Sequence, residues 1–546
     1  MRNILWVLFL SLSFAFHVEA NIEAPELDDS IQPLLLELTQ VKLKQTAPLL
    51  EKLEQAGGDT MLPLFELMLS GSLYYQRSDR ALVGIKKQPE GQLIASDVFT
   101  GAGLGEVDKK SVKKIRVNNK LRKHLREAIA RVKLNASDDD QRLAAVKTIM
   151  SDLSDATVAV LEKRLEIEKN EDVATALTQA IALYSLQTSK TASAKKLAIE
   201  TLATSLDPLV RNQLGKVLEK SEQGEFLETG VSVRSAASKA LKDIDSKVEF
   251  YEFIEQLFFG LSLGSVLLLA AIGLAITFGV MGVINMAHGE MIMLGAYTTY
   301  VVQLLMPNYI DYSLWVAIPA AFIVSGLVGI AIERGVIRYL HGRPLETLLA
   351  TFGISLVLQQ AVRSIFSPLN RQVSTPEWMS GSLEINSVLS FTYNRLYILV
   401  FALIVFFALL AVLKKTSLGL NVRAVSQNRD MAKAMGIKTE WVDAMTFGLG
   451  SGIAGVAGVA LSQLTNVGPN LGQSYIIDSF MVVVFGGVGN LWGTLVAGFT
   501  LGVTNKFAEP IIGAVLANIL ILVFIILFIQ KRPKGLFPQR GRAAND

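Results

Sequence analysis

The feature that most constrains this chain is a series of long apolar runs that recurs from Leu257 to Ile529. A helix needs roughly 20 apolar residues to cross a hydrocarbon layer about 30 Å thick, and most of the runs approach or exceed this length. They predict membrane-spanning helices near residues 257–281, 289–306, 313–333, 346–366, 396–413, 442–464 and 511–530. We therefore expect an all-α, multi-pass membrane domain over residues 251–546.

Basic residues between the runs indicate the orientation, because cytoplasmic loops of membrane proteins carry an excess of Lys and Arg. If each run crosses once, the stretch 334–343, with three arginines, and the stretch 414–438, with six Lys or Arg residues, lie on the same side. They predict a cytoplasmic C-terminus. The residues before the first run then lie outside the cytoplasm.

An eighth apolar stretch, near 476–505, is interrupted by Gly486-Gly487-Val488-Gly489-Asn490. A single crossing there would leave the basic C-terminal tail on the outer side, against the charge rule. We therefore predict a hairpin or re-entrant pair that turns at the glycines. Irregular backbone at membrane depth is tolerated where it is buried or lines a cavity, so this break is a candidate part of a transport path.

The first half of the chain has a different composition. Arg2, an apolar run and the ending Val18-Glu19-Ala20 are typical of a cleaved secretory signal over residues 1–20. Residues 21–250 are rich in charge and contain helical patterns with polar starts, at spacings typical of HEAT-like helix pairs. They predict a soluble extracytoplasmic domain, a helical solenoid or irregular bundle with a small β insertion near 71–119. Such a domain either docks a partner protein or stabilises the assembly.

The composition argues against several kinds of chemistry. The chain has no cysteine and four histidines, spread over separate segments, and its net charge is +3. Thiolate sites and disulfides are excluded, a His-rich metal site or Ser-His-Asp triad lacks material, and nothing indicates nucleic-acid binding. The chain also lacks a Gly-x-x-x-x-Gly-Lys-Ser/Thr loop for ATP phosphates. We expect no enzyme activity, cofactor or metal.

The longest predicted cytoplasmic loop contains a short amphipathic segment over residues 419–437. It is predicted as one helix, with small and methionine side chains near one face and Gly436 at its C-terminal cap. This segment resembles the coupling helix of ABC importer permeases, which docks on a cytoplasmic ATPase; the alternative is an ordinary basic loop. The residues that match are Gly419, Arg423, Ala424, Asn428, Ala432 and Gly436.

Three further segments narrow the resemblance: 283–297 (VINMAHGEMIMLGAY), 349–355 (LATFGIS) and 485–493 (FGGVGNLWG). Together with the coupling segment they resemble the branched-chain amino-acid permease family of ABC importers across the whole membrane half. The resemblance implies a second permease subunit, two cytoplasmic ATPase subunits, an extracytoplasmic solute-binding protein and the lipid bilayer as partners. The long N-terminal extension is similar to that of the urea permease branch of this family, which implies urea as the substrate.

Polar residues within or beside the spans are the candidates for the solute path, since ionisable and polar groups in a membrane usually serve a path or a partner. Urea offers four N–H donors and one carbonyl, so a path of neutral amides and hydroxyls suits it. The alternative is that the same groups join helices or cap a helix at the membrane interface. The candidates are Asn285, His288, Glu290, Thr351, Gln359 and Asn490.

Other readings remain open. A branched-chain amino acid or short amide is the alternative substrate, although no pair of groups matching a zwitterion is evident. An ion-coupled transporter or channel would require charged groups deep within spans, and only Asp478 and Glu333, near predicted span ends, come close. A membrane-anchored enzyme or receptor would not need so many spans. The small-residue repeat Gly448, Gly452, Gly455 and Gly458 is assigned to helix packing, within the chain or against a second permease.

Overall fold

The computed structural model describes residues 30–41, 43, 45–87, 93–221, 226, 228 and 230–537. The predicted signal peptide at 1–20 lies outside these residues. The chain divides into two compact units, Met1–Asp245 and Ser246–Asp546, and each is described by itself. The placement of the first unit outside the membrane remains a prediction.

The first unit combines helices with a small sheet. Its N-terminal helices are α1 (Ile31–Leu38), α2 (Thr46–Gly57) and α3 (Leu62–Ser70). The strands that follow are β1 (Leu73–Gln76), β2 (Leu82–Lys87), β3 (Leu93–Asp97), β4 (Gly103–Glu106) and β5 (Val112–Lys114). They form an antiparallel sheet in the order β4-β3-β2-β1-β5, within the interval where the sequence indicates short β segments.

Six further helices follow the sheet in the described part of the first unit. They are α4 (Asn119–Lys133), α5 (Asp139–Met150), α6 (Asp155–Leu165), α7 (Glu171–Thr188), α8 (Ala192–Leu202) and α9 (Pro208–Val217). Side-chain caps begin several of them: Ser154 and Thr157 form a capping box at α6, for example. Helix α7 packs against α5, α6 and α8. This packing suits a solenoid or an irregular bundle, so the HEAT-like description remains a prediction.

A buried ionic network joins α5, α6 and the start of α7. The Glu168 carboxylate, whose side chain is 1% exposed, accepts hydrogen bonds from the guanidinium groups of Arg142 and Arg164, at 2.9–3.0 Å. It also accepts the backbone N–H groups of Lys169 and Asn170. Burial raises the pKa of Glu168, and these donors outweigh burial and lower the pKa to about 2.

The second unit is a helical bundle. Its first long helix, α10 (Val231–Met281), begins in the first unit. The following helices are α11 (His288–Leu305), α12 (Ile310–Gly335), α13 (Pro344–Phe366), α14 (Tyr393–Lys415), α15 (Ser417–Gln427), α16 (Arg429–Ala434), α17 (Thr439–Ser462), α18 (Leu471–Gly486), α19 (Leu491–Ile512) and α20 (Ala514–Lys531). A short hairpin, β6 (Ser382–Glu384) and β7 (Ser390–Thr392), lies between α13 and α14.

Six of the described helices are long and apolar enough to cross a membrane: α10, α12, α13, α14, α17 and α20. The described residues are mostly helical, as a multi-pass helical membrane protein requires. Helix α11 covers the predicted span 289–306 but is not one of the six, and α18 is a shorter apolar helix. Helix α17 is buried along almost its whole length, so it forms the centre of the bundle.

Close helix packing explains the glycines of α17. A Cβ atom at Gly458 would lie 2.0 Å from the Ile292 carbonyl oxygen of α11, and one at Gly455 would lie 2.4 Å from the Ser325 hydroxyl of α12. No side chain fits at these distances. The small-residue repeat therefore packs helices within this chain, one of the two possibilities left open by the sequence.

The broken stretch near 476–505 is a helical hairpin formed by α18 and α19. Gly487 and Gly489 have positive φ angles of 104° and 78° at its turn, a conformation that glycine adopts without strain. The C-terminal tail lies against the turn, because the N–H groups of Leu536 and Phe537 donate to the carbonyls of Phe485 and Gly486. The turn thus lies at one end of the bundle, beside the residues that follow α20.

Candidate solute path and coupling segment

Polar side chains come together where the segment before α11 meets α13. Thr351, Ser355 and Gln359 repeat every fourth residue along α13 and so share one helix face, which is buried. The Met286 N–H donates to the Thr351 hydroxyl at 3.2 Å, which fixes the segment containing Asn285 against this face. We call Asn285, Glu290, Thr351, Ser355 and Gln359 the polar cluster.

Glu290 is the charged member of the polar cluster and is 1% exposed. Its Oε1 accepts hydrogen bonds from the Ser355 hydroxyl at 2.9 Å and from the Gln359 amide at 2.7 Å. Its Oε2 has no partner among the described residues, and neither has the Asn285 Nδ2 group. Leaving a buried polar group unsatisfied costs about 1–3 kcal/mol, and a bound solute would remove this cost. The polar cluster thus offers a small solute one acceptor, the Oε2 atom, and one donor, the Nδ2 group.

His288 and Asn490 lie apart from the polar cluster. The His288 ring is fully buried, and its Nε2 lies 2.8 Å from the Ala270 carbonyl oxygen, so it joins α10 to α11. Asn490 caps α19 by accepting the N–H groups of Trp492 and Gly493, and it donates to the Phe537 carbonyl oxygen. Of the six predicted path residues, the structure thus brings together Asn285, Glu290, Thr351 and Gln359.

The sequence reasoning missed two residues on the same face of α13. Ser355 donates to Glu290, and Arg363, one turn beyond Gln359, donates to the Asn470 side chain at 2.7 Å. The spacing of four between Thr351, Ser355, Gln359 and Arg363 is the signal that would have found both. The opposite face of α13 exposes Leu349, Phe352 and Leu356, as expected of a face turned to lipid or another subunit.

The predicted coupling segment consists of two helices, α15 and α16, and not of one. The chain breaks at Asn428, whose backbone is extended and whose side chain caps α16 by accepting the Met431 N–H. An asparagine competes for backbone hydrogen bonds in this way and favours a cap over a helix interior. Gly436 follows α16 with a φ of 86°, which agrees with the predicted C-terminal cap.

The remaining residues of the coupling segment hold it to the bundle. Gly419 approaches the Leu413 backbone so closely that a Cβ would lie 2.1 Å from its carbonyl oxygen, and Arg423 donates to that same oxygen. Ala432 is buried, and Ala424 is partly buried. These contacts hold α15 and α16 against the ends of α14 and α17.

An ion pair between Arg429 and Asp443 further attaches the coupling segment to α17. Both guanidinium NH groups of Arg429 donate to the Asp443 carboxylate, which is almost fully buried. Bidentate pairs of this kind fix geometry as well as charge. Met431 and Met435 remain exposed, Met435 at 81%, so the coupling segment presents flexible apolar side chains outward.

Comparison with known proteins agrees with this architecture. Residues 256–529 match the family model described as branched-chain amino acid transport system, permease component. The chain is 30% identical to the high-affinity branched-chain amino acid transport system permease protein BraD of Pseudomonas aeruginosa, over 53% of this chain and 96% of the relative. The corresponding LivH protein of Escherichia coli is also 30% identical, with the same coverage.

A shorter match links the chain to another importer. The ribose import permease protein RbsC of Bacillus subtilis is 32% identical over 18% of this chain and 34% of the relative. No solved structure matches the chain. Residues 1–255 lie outside the family match, and the membrane half accounts for nearly the whole length of BraD and LivH. The chain belongs to the branched-chain amino acid permease family of ABC transporters.

Proposed function

We propose that this chain is the subunit through which an ABC importer passes a small polar solute across the bacterial inner membrane. The observation that carries the proposal is the polar cluster, a buried carboxylate among hydroxyl and amide groups within an otherwise apolar helical bundle. Buried ionisable groups in membrane helices are costly and mark solute paths. The Glu290 Oε2 atom and the Asn285 Nδ2 group, which have no partner among the described residues, supply the acceptor and the donor of the path.

A branched-chain amino acid is the first candidate substrate. The names of BraD and LivH identify their systems as high-affinity transporters of these amino acids, and those relatives align with this chain over almost their full length. The ammonium group of such a solute suits the Glu290 carboxylate. Arg363, on the same face of α13, is the cation that suits the carboxylate of the solute. Glu290 and Arg363 together are thus the pair of charges for an amino acid that was not evident in the sequence.

Urea is the second candidate, and a different observation favours it. Residues 1–255 have no counterpart in the family match, and this extension resembles the one carried by the urea permease branch. Ser355, Gln359, Thr351 and Asn285 are neutral hydrogen-bonding groups, which suit a solute with four N–H donors and one carbonyl. Transport of a branched-chain amino acid, the first candidate, does not explain this extension.

The partners follow from the family and from the coupling segment. The chain has no ATP-binding loop of its own, so separate ATPase subunits supply the energy. We assign their docking surface to α15 and α16, where Met431 and Met435 are exposed and the ion pair between Arg429 and Asp443 transmits movement to α17. A second permease subunit and an extracytoplasmic binding protein complete the importer. The coupling segment and the basic tail face the cytoplasm.

Uptake of radiolabelled leucine and urea tests the proposal in cells that carry or lack this chain, with the other transport genes intact. Loss of leucine uptake alone supports the first candidate, and loss of urea uptake alone supports the second. If neither changes, the importer proposal fails. Within the complemented cells, Glu290→Gln removes the charge and keeps the shape. It should lower uptake about 10-fold or more, the effect of losing a charged hydrogen bond of about 1.5–3 kcal/mol.

Thr299→Val is the matched control for Glu290→Gln. Thr299 lies on the same helix, is equally buried, and donates only to the Gly295 carbonyl within α11. Its replacement removes a hydroxyl that bonds back to its own helix, so uptake should stay within about twofold of the unmodified chain. Equal effects of the two substitutions would show that the polar cluster only joins helices.

A further inference from the structure

A second polar site lies in the same unit and shares no residue with the polar cluster. A cavity of about 460 Å³ lies between α10, α18, α19 and α20, which is within the size range of small-molecule sites. Leu263, Leu267 and Ile521 form part of its apolar wall. Its polar lining includes Ser474, Asp478, Asn505, Lys506, Glu509 and Asn518.

Asp478 is the unpaired charge of this cavity. It lies in the middle of α18, seven residues from Leu471 and eight from Gly486. Among the described residues it makes no ion pair or hydrogen bond. The cavity's other charges, Lys506 and Glu509, pair with each other at 2.5 Å. The lining therefore carries one uncompensated negative charge.

Two amides accompany this carboxylate. The Asn505 Nδ2 group donates to the Asn518 Oδ1 atom. This bond leaves the side-chain oxygen of Asn505 and the side-chain N–H groups of Asn518 for other partners. The cavity thus offers an anionic acceptor, a neutral acceptor and neutral donors. Side chains that only join helices would satisfy one another, and Asp478 does not follow that pattern.

The cavity reaches the end of the bundle opposite the coupling segment. Thr465 and Asn466, in the loop between α17 and α18, line it together with Ala514 at the start of α20. The other ends of these helices adjoin the coupling segment, the glycine turn and the C-terminal tail. With the coupling segment in the cytoplasm, the cavity lies at the end where solute arrives.

We infer that this cavity is an entry site in which Asp478 and the Asn505 side-chain oxygen accept the N–H groups of the transported solute, while the Asn518 amide hydrogens bind its carbonyl or carboxylate oxygen. The inference rests on the proposed import function and names the side chains of its first binding step. A carboxylate accepts two N–H groups from one amide, or the ammonium group of an amino acid. Leucine and urea therefore share the chemistry that the cavity selects.

The absence of cysteine from the chain permits a direct test in the assembled importer. Ser474→Cys places one thiol in the cavity lining with little change in shape. A membrane-impermeant maleimide added from the periplasmic side should label this thiol, and leucine or urea should slow labelling at least about fivefold, by occupying the site. Ser479→Cys is the control, since Ser479 is fully buried, and it should resist labelling. Protection by one solute and not the other identifies the substrate.

Asp478→Asn in the Ser474→Cys chain should abolish the protection. In uptake assays, the same Asp478→Asn change should raise the half-saturating solute concentration about 10-fold, a difference of about 1.4 kcal/mol, with the maximal rate largely kept. Ser479→Ala should change neither. An unlabelled thiol, labelling unaffected by both solutes, or an unchanged half-saturating concentration would overturn the entry site. If the unmodified importer still transports solute in those cases, the proposed function survives; if it transports neither solute, both fail.

Discussion

Glutamine in place of Glu168 tests how the first unit is held together. The substitution keeps the size of the side chain and removes the charge on which Arg142 and Arg164 converge. Loss of one partner of a buried ion pair costs about 3–5 kcal/mol. Arg142 keeps its bonds to the Ala136 and Ser137 carbonyls, and glutamine still accepts one guanidinium N–H. We therefore expect a loss of about 2 kcal/mol.

The effect should depend on pH in a defined window. The pKa of Glu168 falls from 4.5 to about 2 in the folded chain, so the carboxylate stabilises the fold fully above about pH 4.5, and this contribution disappears as the pH falls toward 2. The whole shift corresponds to about 3 kcal/mol. Because the neighbouring Asp139 and Arg164 side chains are partly exposed, solvent screening reduces this contribution to about 1–2 kcal/mol. The two chains should therefore converge in stability at low pH.

Hydrogen exchange of the full chain, measured by mass spectrometry at pH 6 and pH 3, provides the assay. Amides of α6 and α7 should exchange about 30-fold faster after Glu168→Gln at pH 6, which corresponds to about 2 kcal/mol. The difference should shrink at pH 3. Glu166→Gln is the control, because Glu166 is exposed. Equal protection of the two chains at pH 6, or a difference that ignores pH, would refute the reasoning.

Three further substitutions test the second unit. Gly458→Val places a side chain where even a Cβ meets the α11 backbone, so it should destabilise the fold by more than about 3 kcal/mol. Detergent chromatography should then show no folded protein. Gly353→Ala, where a Cβ meets nothing, is the control and should be tolerated. Arg429→Gln should leave Asp443 without its partner and lower uptake and solute-stimulated ATP hydrolysis together, and normal ATP hydrolysis would contradict a coupling role. Met435→Asp should weaken co-purification of the ATPase subunits about 10-fold with the fold intact, and unchanged co-purification would place their docking surface elsewhere.

Hydrophobic periodicity was enough to predict most of the second unit. Long apolar runs correspond to helices because a buried or lipid-exposed backbone must bond to itself. The charge rule also gave the α18–α19 hairpin, since only an even number of crossings restores the basic tail. It did not show that the turn lies at the end of the bundle, against the C-terminal tail. Hydrogen bonds from Leu536 and Phe537 hold the turn there, and such tertiary contacts leave no periodic trace in the sequence.

The polar sites were harder to predict for the same reason. Glu290 and Gln359 were found because their polarity contrasts with apolar neighbours, but only the fold shows that Ser355 bridges them. His288 looked equally suitable, yet its partner is a backbone carbonyl of α10. The break at Asn428 was missed because α15 and α16 share an apolar face, so the apolar residues keep their helical spacing across it. The backbone helix nevertheless ends at Gln427 and begins again at Arg429.

The two polar sites lie near each other along α18. A Cβ at Gly472 would lie 1.8 Å from the Gly289 carbonyl oxygen, so the start of α11 packs against the first turn of α18. Glu290 is therefore level with that turn, and Asp478 lies nearly two turns further along α18, toward the glycine turn. Helix α17 runs from the coupling segment to the loop beside the cavity and packs on α11 and α12 without room for a side chain at Gly458. In the proposed importer, a displacement of α17 by the ATPase subunits would therefore move α11, and with it Glu290.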